Sequence, residues 1–345
     1  EIPFQFQVRD FEHEVKIASG GLHLANYMLK PVKRGEYSFG SLNVFISSPV
    51  GLVKRRFNFC KDTMVPVYPS FIQMNKYELF ASISRLKDNG IKQVRRIGHS
   101  LEFEKIREYV NGDDQRAINW KATGRSSQLM VNQFQDEKSQ PVYCIIDKGR
   151  AMQMPFNGMS LLDYAINTSL VISNIALNKQ DKAGLITFSD KMGSSVKADR
   201  KRSQIRLILE VLYNQKTHYL ETDFRMLYGN IQRKLNQRSL LILFSNFGSL
   251  NALRRQMPYL KAIAKSHLLV VVFFENTELS QVVENPVAGL EQVYFKTIAE
   301  QFVLEKKQMA KELEASGIHS ILSSPENLTV KSINKYLELK SRRLI

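Results

Sequence analysis

From Pro141 onward the chain alternates short, near-continuous apolar runs with amphipathic stretches, and this alternation limits its possible folds more than any other feature. The runs at 142–146, 183–188, 240–244, 268–274 and 319–322 are rich in Val, Ile, Leu and Phe and read as strands. Between them the spacing predicts helices over 159–177, 202–213, 223–235, 250–265, 291–315 and 324–340. Strands without polar alternation are buried on both faces, so the expected α/β architecture is a doubly wound, mostly parallel sheet with right-handed crossovers. Ligands of such sheets bind outside the carboxyl ends of the strands. Asp147 and Asn246 follow two of those ends and mark the expected site.

The length of 345 residues, 43% of them hydrophobic, suits about two domains at roughly 100 to 200 residues each. No apolar stretch approaches the roughly 18 residues a membrane span needs. The chain opens on Glu1 without a signal pattern and reads as one whose native N-terminus lies further upstream. Its two cysteines, Cys60 and Cys144, give neither a disulfide framework nor a zinc spacing, and both are expected to be buried thiols. The net charge of +16 comes from short clusters such as Lys54-Arg55-Arg56, Arg95-Arg96 and Arg200-Lys201-Arg202, scattered over different elements. That scatter argues against nucleic acid and favours a surface near acidic lipid headgroups.

Upstream of the apolar runs the periodicity changes. Phe4, Phe6 and Val8, then Val44 and Ile46, then Phe57 and Phe59 alternate with polar neighbours, with Gly- and Pro-rich turns between them. Residues 1–75 are therefore expected to form a small all-β sandwich, closed by Pro66-Val67-Tyr68-Pro69. Residues 76–140 read as a connecting segment, with helices near 75–87 and 102–109 and strands near 117–121 and 129–134. Residues 141–345 form the α/β domain with its C-terminal helix.

Two resemblances attach to these residues. The strand ending at Asp147, followed by Lys148-Gly149-Arg150-Ala151, resembles the metal-site strand of a von Willebrand factor type A domain, whose first loop reads Asp-x-Ser-x-Ser. The stretch from Leu101 to Arg125 resembles the signature of the bacterial domain-of-unknown-function family fifty-eight through Arg107-Glu108-Tyr109, Gly112-Asp113-Asp114, Arg116, Trp120-Lys121 and Arg125. It departs at Ile106, Asn119 and Gly124, where the family carries Leu, Asp and Ala. Arg34-Gly35-Glu36-Tyr37 and the tail from Leu328 to Lys340 resemble the family's N-terminal β part and closing helix. The resemblance implies a von Willebrand factor A-like domain, upstream transmembrane helices, a cytoplasmic soluble part at the inner membrane and a MoxR-type AAA+ ATPase as partner. The function it suggests is a non-enzymatic, membrane-tethered docking adaptor. The alternatives are an envelope or assembly factor acting through the β domain and an unrecognised hydrolase.

In that fold the resemblance implies a degenerate metal-ion-dependent adhesion site. Asp147 survives, Gly149 and Ala151 lack the two hydroxyls, Thr222 matches the second-loop threonine, and Asn246 replaces the third-loop aspartate. One anionic ligand remains where two are expected, so no cofactor is expected and magnesium is disfavoured. Asp147 is then left to cap its loop or pair with Lys148 or Arg150. Restoring serines at 149 and 151 and aspartate at 246 is expected to restore metal affinity. The signature turn, with Asp113 and Asp114 among Arg107, Arg116 and Arg125, is expected to form an ion-paired joint between the domains, anchored by buried Trp120. The other reading makes Glu108, Asp113, Asp114, Arg116 and Lys121 a docking surface. No Gly-x-Ser-x-Gly, P-loop, dinucleotide or zinc-protease motif is present, and the six histidines, His99 and His218 among them, are dispersed.

Overall fold

A computed structural model describes residues 1–8, 11–18, 20–48, 52–69, 101–110, 113, 117–126, 128–136, 139–217, 219–284, 290–342 and 344. The helix expected at 75–87, the signature residues Gly112, Asp114 and Arg116, and both His99 and His218 lie outside the described residues.

From Gly35 to Val67 the chain forms two antiparallel pairs, consistent with a small β domain, whereas Phe4–Phe6, expected in a strand, is a single 3-10 turn. Strand β1 (Gly35–Phe39) pairs with β4 (Thr63–Val67), and β2 (Leu42–Ser47) pairs with β3 (Lys54–Phe59). Cys60 follows β3 in a left-handed conformation and is exposed, which corrects the expectation of a buried thiol there. Cys144 is buried, and burial pushes its thiol up to about 12, which leaves it inert.

In the connecting segment β5 (Leu101–Glu108) pairs with β6 (Met130–Asp136), so the helix expected at 102–109 is a strand. The spacing of Phe103 and Ile106 imitates a helical period because the register shifts between Phe103 and Lys105. That shift sets both opposite residues two apart on β6, Phe134 and Asn132. The strand expected at 117–121 reduces to a single bridge between Ile118 and Val131. Asn119 ends it by capping the short helix α1 (Trp120–Thr123), accepting a hydrogen bond from the amide of Ala122 at 3.0 Å.

The main domain is built on β7 (Pro141–Asp147), every residue of which is buried. After it come the short pair β8 (Pro155–Phe156) and β9 (Met159–Ser160), then α2 (Leu161–Asn178), β10 (Lys182–Phe188), β11 (Met192–Asp199), α3 (Gln204–Leu212), α4 (Phe224–Lys234) and β12 (Leu240–Phe244). The chain continues through α5 (Leu250–Ser266), β13 (Leu268–Phe274), α6 (Thr277–Glu284), α7 (Leu290–Ala315), β14 (His319–Ser323) and α8 (Leu328–Ser341). Helix starts are set locally: Ser160 and Asp163 form a reciprocal capping box, and Asp223 and Ser249 accept from the amides of Met226 and Ala252. None of the helices is long and apolar enough, among the described residues, to cross a membrane.

The six strands of the sheet run in the order β11-β10-β7-β12-β13-β14, all parallel except the edge strand β11. Alternate residues of β7 supply two cores. Val142, Cys144 and Ile146 pack with α2, α3 and α8, whereas Tyr143 and Ile145 pack with α4, α5 and the C-terminal half of α7. Chain order reverses between β7 and β12, and the crevice at their carboxyl ends is where such a sheet presents a site.

Among the described residues the β part meets this domain at Arg34-Gly35-Glu36 and through the Tyr68 ring, 5.4 Å from that of Tyr213. The Arg34 side chain pairs with Asp163 at the start of α2 and donates to the Gln215 carbonyl at 2.7 Å. Burial lowers its pKa to about 10, which leaves it charged at neutrality. Gly35 turns at φ +132°, a conformation L side chains rarely adopt, and Glu36 then accepts from Tyr213 and Asn214 at 3.1 and 2.9 Å.

Candidate functional site at the crest of the sheet

The site is centred on the Asp147 carboxylate, which the end of β7 carries into the crevice and which is almost wholly buried. Its Oδ1 accepts from the backbone amide of Gly149 at 2.8 Å and from Thr222 Oγ1 at 2.6 Å. Its Oδ2 accepts from Ser245 Oγ at 2.6 Å. Three crest loops thus converge on one side chain, those following β7 and β12 and the one preceding α4. Burial pushes the Asp147 carboxyl above the usual carboxylate range, against the lowering effect of these three donors.

Neither missing hydroxyl leaves a simple gap. A Cβ built at Gly149 would lie 2.0 Å from Thr222 Oγ1 and 3.1 Å from Asp147 Oδ1. The threonine hydroxyl already occupies the space that a serine would need, so a restored serine at 149 requires Thr222 to move first. Ala151 sits exposed on the short turn Arg150–Met152.

Asn246 is engaged elsewhere. Its Oδ1 accepts from Lys306 Nζ at 2.7 Å, and the same ammonium donates to the Phe247 carbonyl at 2.6 Å and lies 5.9 Å from the Phe273 ring centre. Burial draws the Lys306 amine down to about 8. Asn246, at the position where the resemblance would put an anionic ligand, is therefore bound to a protein cation. Among the described residues no three His, Cys, Asp or Glu side chains converge as a metal-ligand cluster. A divalent ion fits this donor set poorly: its single carboxylate already accepts three internal donors, and its third-loop oxygen is bound to an ammonium.

Of the crest residues expected from sequence, the structure brings Asp147, Gly149 and Thr222 together and directs Asn246 to Lys306. The neighbour Ser245, which supplies the third bond to Asp147, was missed, although it stands beside Asn246 in the same loop. Lys306 was also missed, because it reaches the crest from a distant helix.

The described signature residues form a separate local structure. Arg107 grips Asp113 through two parallel bonds, 2.7 Å from Nη1 to Oδ2 and 2.6 Å from Nη2 to Oδ1. Asp113 also accepts from the amide of Val110 at 3.0 Å and so caps its own turn. These bonds raise the Arg107 pKa and lower that of Asp113. Glu108, Lys121 and Arg125 are exposed and Tyr109 is half-buried. Trp120 is 71% exposed, which corrects the expectation of a buried anchor. Because Asn119 starts a helix at this point, the indole is carried outward instead of continuing a strand.

Three comparisons place the chain among known proteins. The family described as "Protein of unknown function DUF58" matches residues 105–310. The uncharacterized protein YeaD of Bacillus subtilis (strain 168) is 31% identical over 125 residues, which are 36% of this chain and 30% of YeaD. This chain therefore spans less than a third of that relative's length. Among solved structures, the BatB protein of Bacteroides thetaiotaomicron is 14% identical with a TM-score of 0.38, covering 59% of this chain and all of that one. The von Willebrand factor A domain of SpRpn10 is 15% identical with a TM-score of 0.33, covering 55% of this chain and 92% of that one.

Proposed function

This chain belongs to the DUF58 family of proteins of unknown function and carries a von Willebrand factor A-like α/β domain, and on that premise we propose that it is a non-enzymatic adaptor docking a protein partner through its crest. The observation that carries this reading is a hydrogen-bonded crest with an apolar tip. Tyr219 and Leu220 are both well exposed, and the Leu220 carbonyl accepts the amide of Arg150, tying them to the loop that Asp147 holds. A large aromatic beside a leucine on a braced loop suits a binding anchor, because little ordering remains to be done on association. Asp147 acts here as a brace, and the docking is independent of metal. By the family resemblance, the partner is a MoxR-type AAA+ ATPase, and the full-length protein is held at the inner membrane with this part on the cytoplasmic side.

Pull-down with a MoxR-type AAA+ ATPase, in each nucleotide state, tests this directly. The parent chain is expected to be retained, and Tyr219→Ala with Leu220→Ala to weaken retention by about 30-fold or more while melting as the parent does. Retention undiminished by the double change, or no association in any nucleotide state, would remove the reading.

A further inference from the structure

We propose that the β2–β3 hairpin is a membrane-surface element that lays its apolar face into the headgroup region of an anionic bilayer. The proposal stands on observations separate from the crest. The register pairs Leu42 with Phe59, Val44 with Phe57 and Ile46 with Arg55, so the hairpin gathers Leu42, Val44, Ile46, Phe57 and Phe59 on one side. That side is uncovered: Ile46 is 57% exposed, and Leu42 and Phe59 are exposed about as much. A two-stranded hairpin with an open apolar face is marginal in water, and covering that face is what would stabilise it.

The opposite side carries Asn43, Ser47, Lys54, Arg56 and Asn58, with Phe45 beneath the Lys54 ammonium as its one large apolar side chain. Arg56 Nε donates to Asn43 Oδ1 and Asn58 Oδ1, each at 2.9 Å, and Asn43 in turn donates to Glu1 at 3.2 Å. This leaves one face to enter an apolar phase and one to remain in water.

Charge selects the occupant. From Ser41 to Lys61 the chain has no aspartate or glutamate but carries Lys54, Arg55, Arg56 and Lys61. Near the hairpin end, the strongly exposed Leu52 stands close to Lys54 and Arg55, whose cationic groups lie 5.0 Å from the Phe45 ring and 4.9 Å from the Phe57 ring. Basic heads on apolar stems beside aromatic rings match an interface where phosphates lie above acyl chains. An acidic protein would meet the charges but would need a matching apolar surface.

Co-sedimentation of the purified chain with vesicles tests the assignment. Vesicles of phosphatidylcholine and phosphatidylglycerol in equal parts are expected to bind the chain, and phosphatidylcholine alone to bind it far more weakly. Arg55→Ala with Arg56→Ala is expected to weaken binding about 25-fold, at about fivefold per basic residue. Ile46→Ser with Leu52→Ser is expected to abolish it with every charge in place, and the α/β domain should melt unchanged in both variants. Absence of binding to the anionic vesicles, or binding indifferent to the serine pair, would overturn the proposal. So would a concentration-dependent dimer that ignores vesicles and is lost with the serine pair, because a second copy of the chain would then cover the face.

Discussion

Asp181→Ala is expected to lower the stability of the α/β domain by about 3 to 5 kcal/mol, the combined cost of leaving the buried Tyr336 hydroxyl and the Gln140 amide without an acceptor and of breaking the partly buried pair with Lys340. Asp181 is fully buried at the turn between α2 and β10. Its Oδ2 accepts from Tyr336 Oη and from Lys340 Nζ, both at 2.5 Å, and its Oδ1 accepts from the Gln140 amide at 3.2 Å. One carboxylate therefore pins the closing helix α8 to the start of both β7 and β10. Burial first, and then the Asp181 charge, push the Tyr336 hydroxyl far above its ordinary value, so it remains a donor at any working pH. In the alanine variant that hydroxyl loses its acceptor, and the Lys340 ammonium keeps only the Lys179 carbonyl, at 3.2 Å. Thermal melting should fall by about 6 °C or more, at roughly 2 to 4 °C per kcal/mol for a domain of this size. Asp181→Asn keeps the shape and should lose less. A variant melting within a degree of the parent would show that α8 is held by apolar contacts alone.

The second large effect is expected at the crest. Asp147→Ala removes the acceptor for three donors, the Gly149 amide and the hydroxyls of Thr222 and Ser245, and should cost about 2 to 4 kcal/mol. Asp147→Asn should cost far less, because its carbonyl can keep two of these donors and its amide can donate to the Ser245 hydroxyl. The pH dependence separates the two roles. With its pKa raised by burial, folded Asp147 binds more protons than the unfolded chain between the ordinary carboxylate value and its own folded value. Its contribution to stability is therefore greatest in acid and falls as pH rises through that window. The difference in stability between parent and Asp147→Asn, followed from acid to neutral pH, should move in favour of the asparagine variant. A difference curve moving the other way would mean that the carboxylate is stabilised in its ionised form.

These expectations also show which parts of the molecule could be read in advance. The inner strands were legible because a parallel strand buried on both faces is an unbroken apolar run, as in Leu240–Phe244 and Leu268–Phe274. The edge strand Met192–Asp199 was not: half-covered, its sequence of small and polar residues carries no such run. The short helix Thr277–Glu284 was missed as well. Asp147, Gly149 and Thr222 could be found because strand ends and loop positions follow from the alternation of elements. Ser245 and Lys306 could not, because their bonds join residues 98 and 60 positions apart and depend on packing. The domain joint was assigned to Trp120 and the Gly112–Arg116 turn, from aromatic size and from carboxylates set among arginines; Trp120 is exposed, Asp113 pairs locally with Arg107, and Asp114 and Arg116 lie outside the described residues. The structure makes the contact through Arg34 and Glu36, whose charges gave no local hint of a partner as distant as Asp163 or Tyr213.

On the proposed reading the crest is braced by its own side chains and docks without a bound ion. Melting of the purified chain in EDTA, and then across millimolar magnesium and manganese, tests it most directly, since an ion bound to the folded state raises stability by RT ln(1 + [L]/Kd). Coincident curves are expected for the parent, and the same insensitivity for Asp147→Asn. A rise of several degrees with either metal, reversed by EDTA and lost in Asp147→Asn, would contradict that reading and make Asp147 a metal ligand.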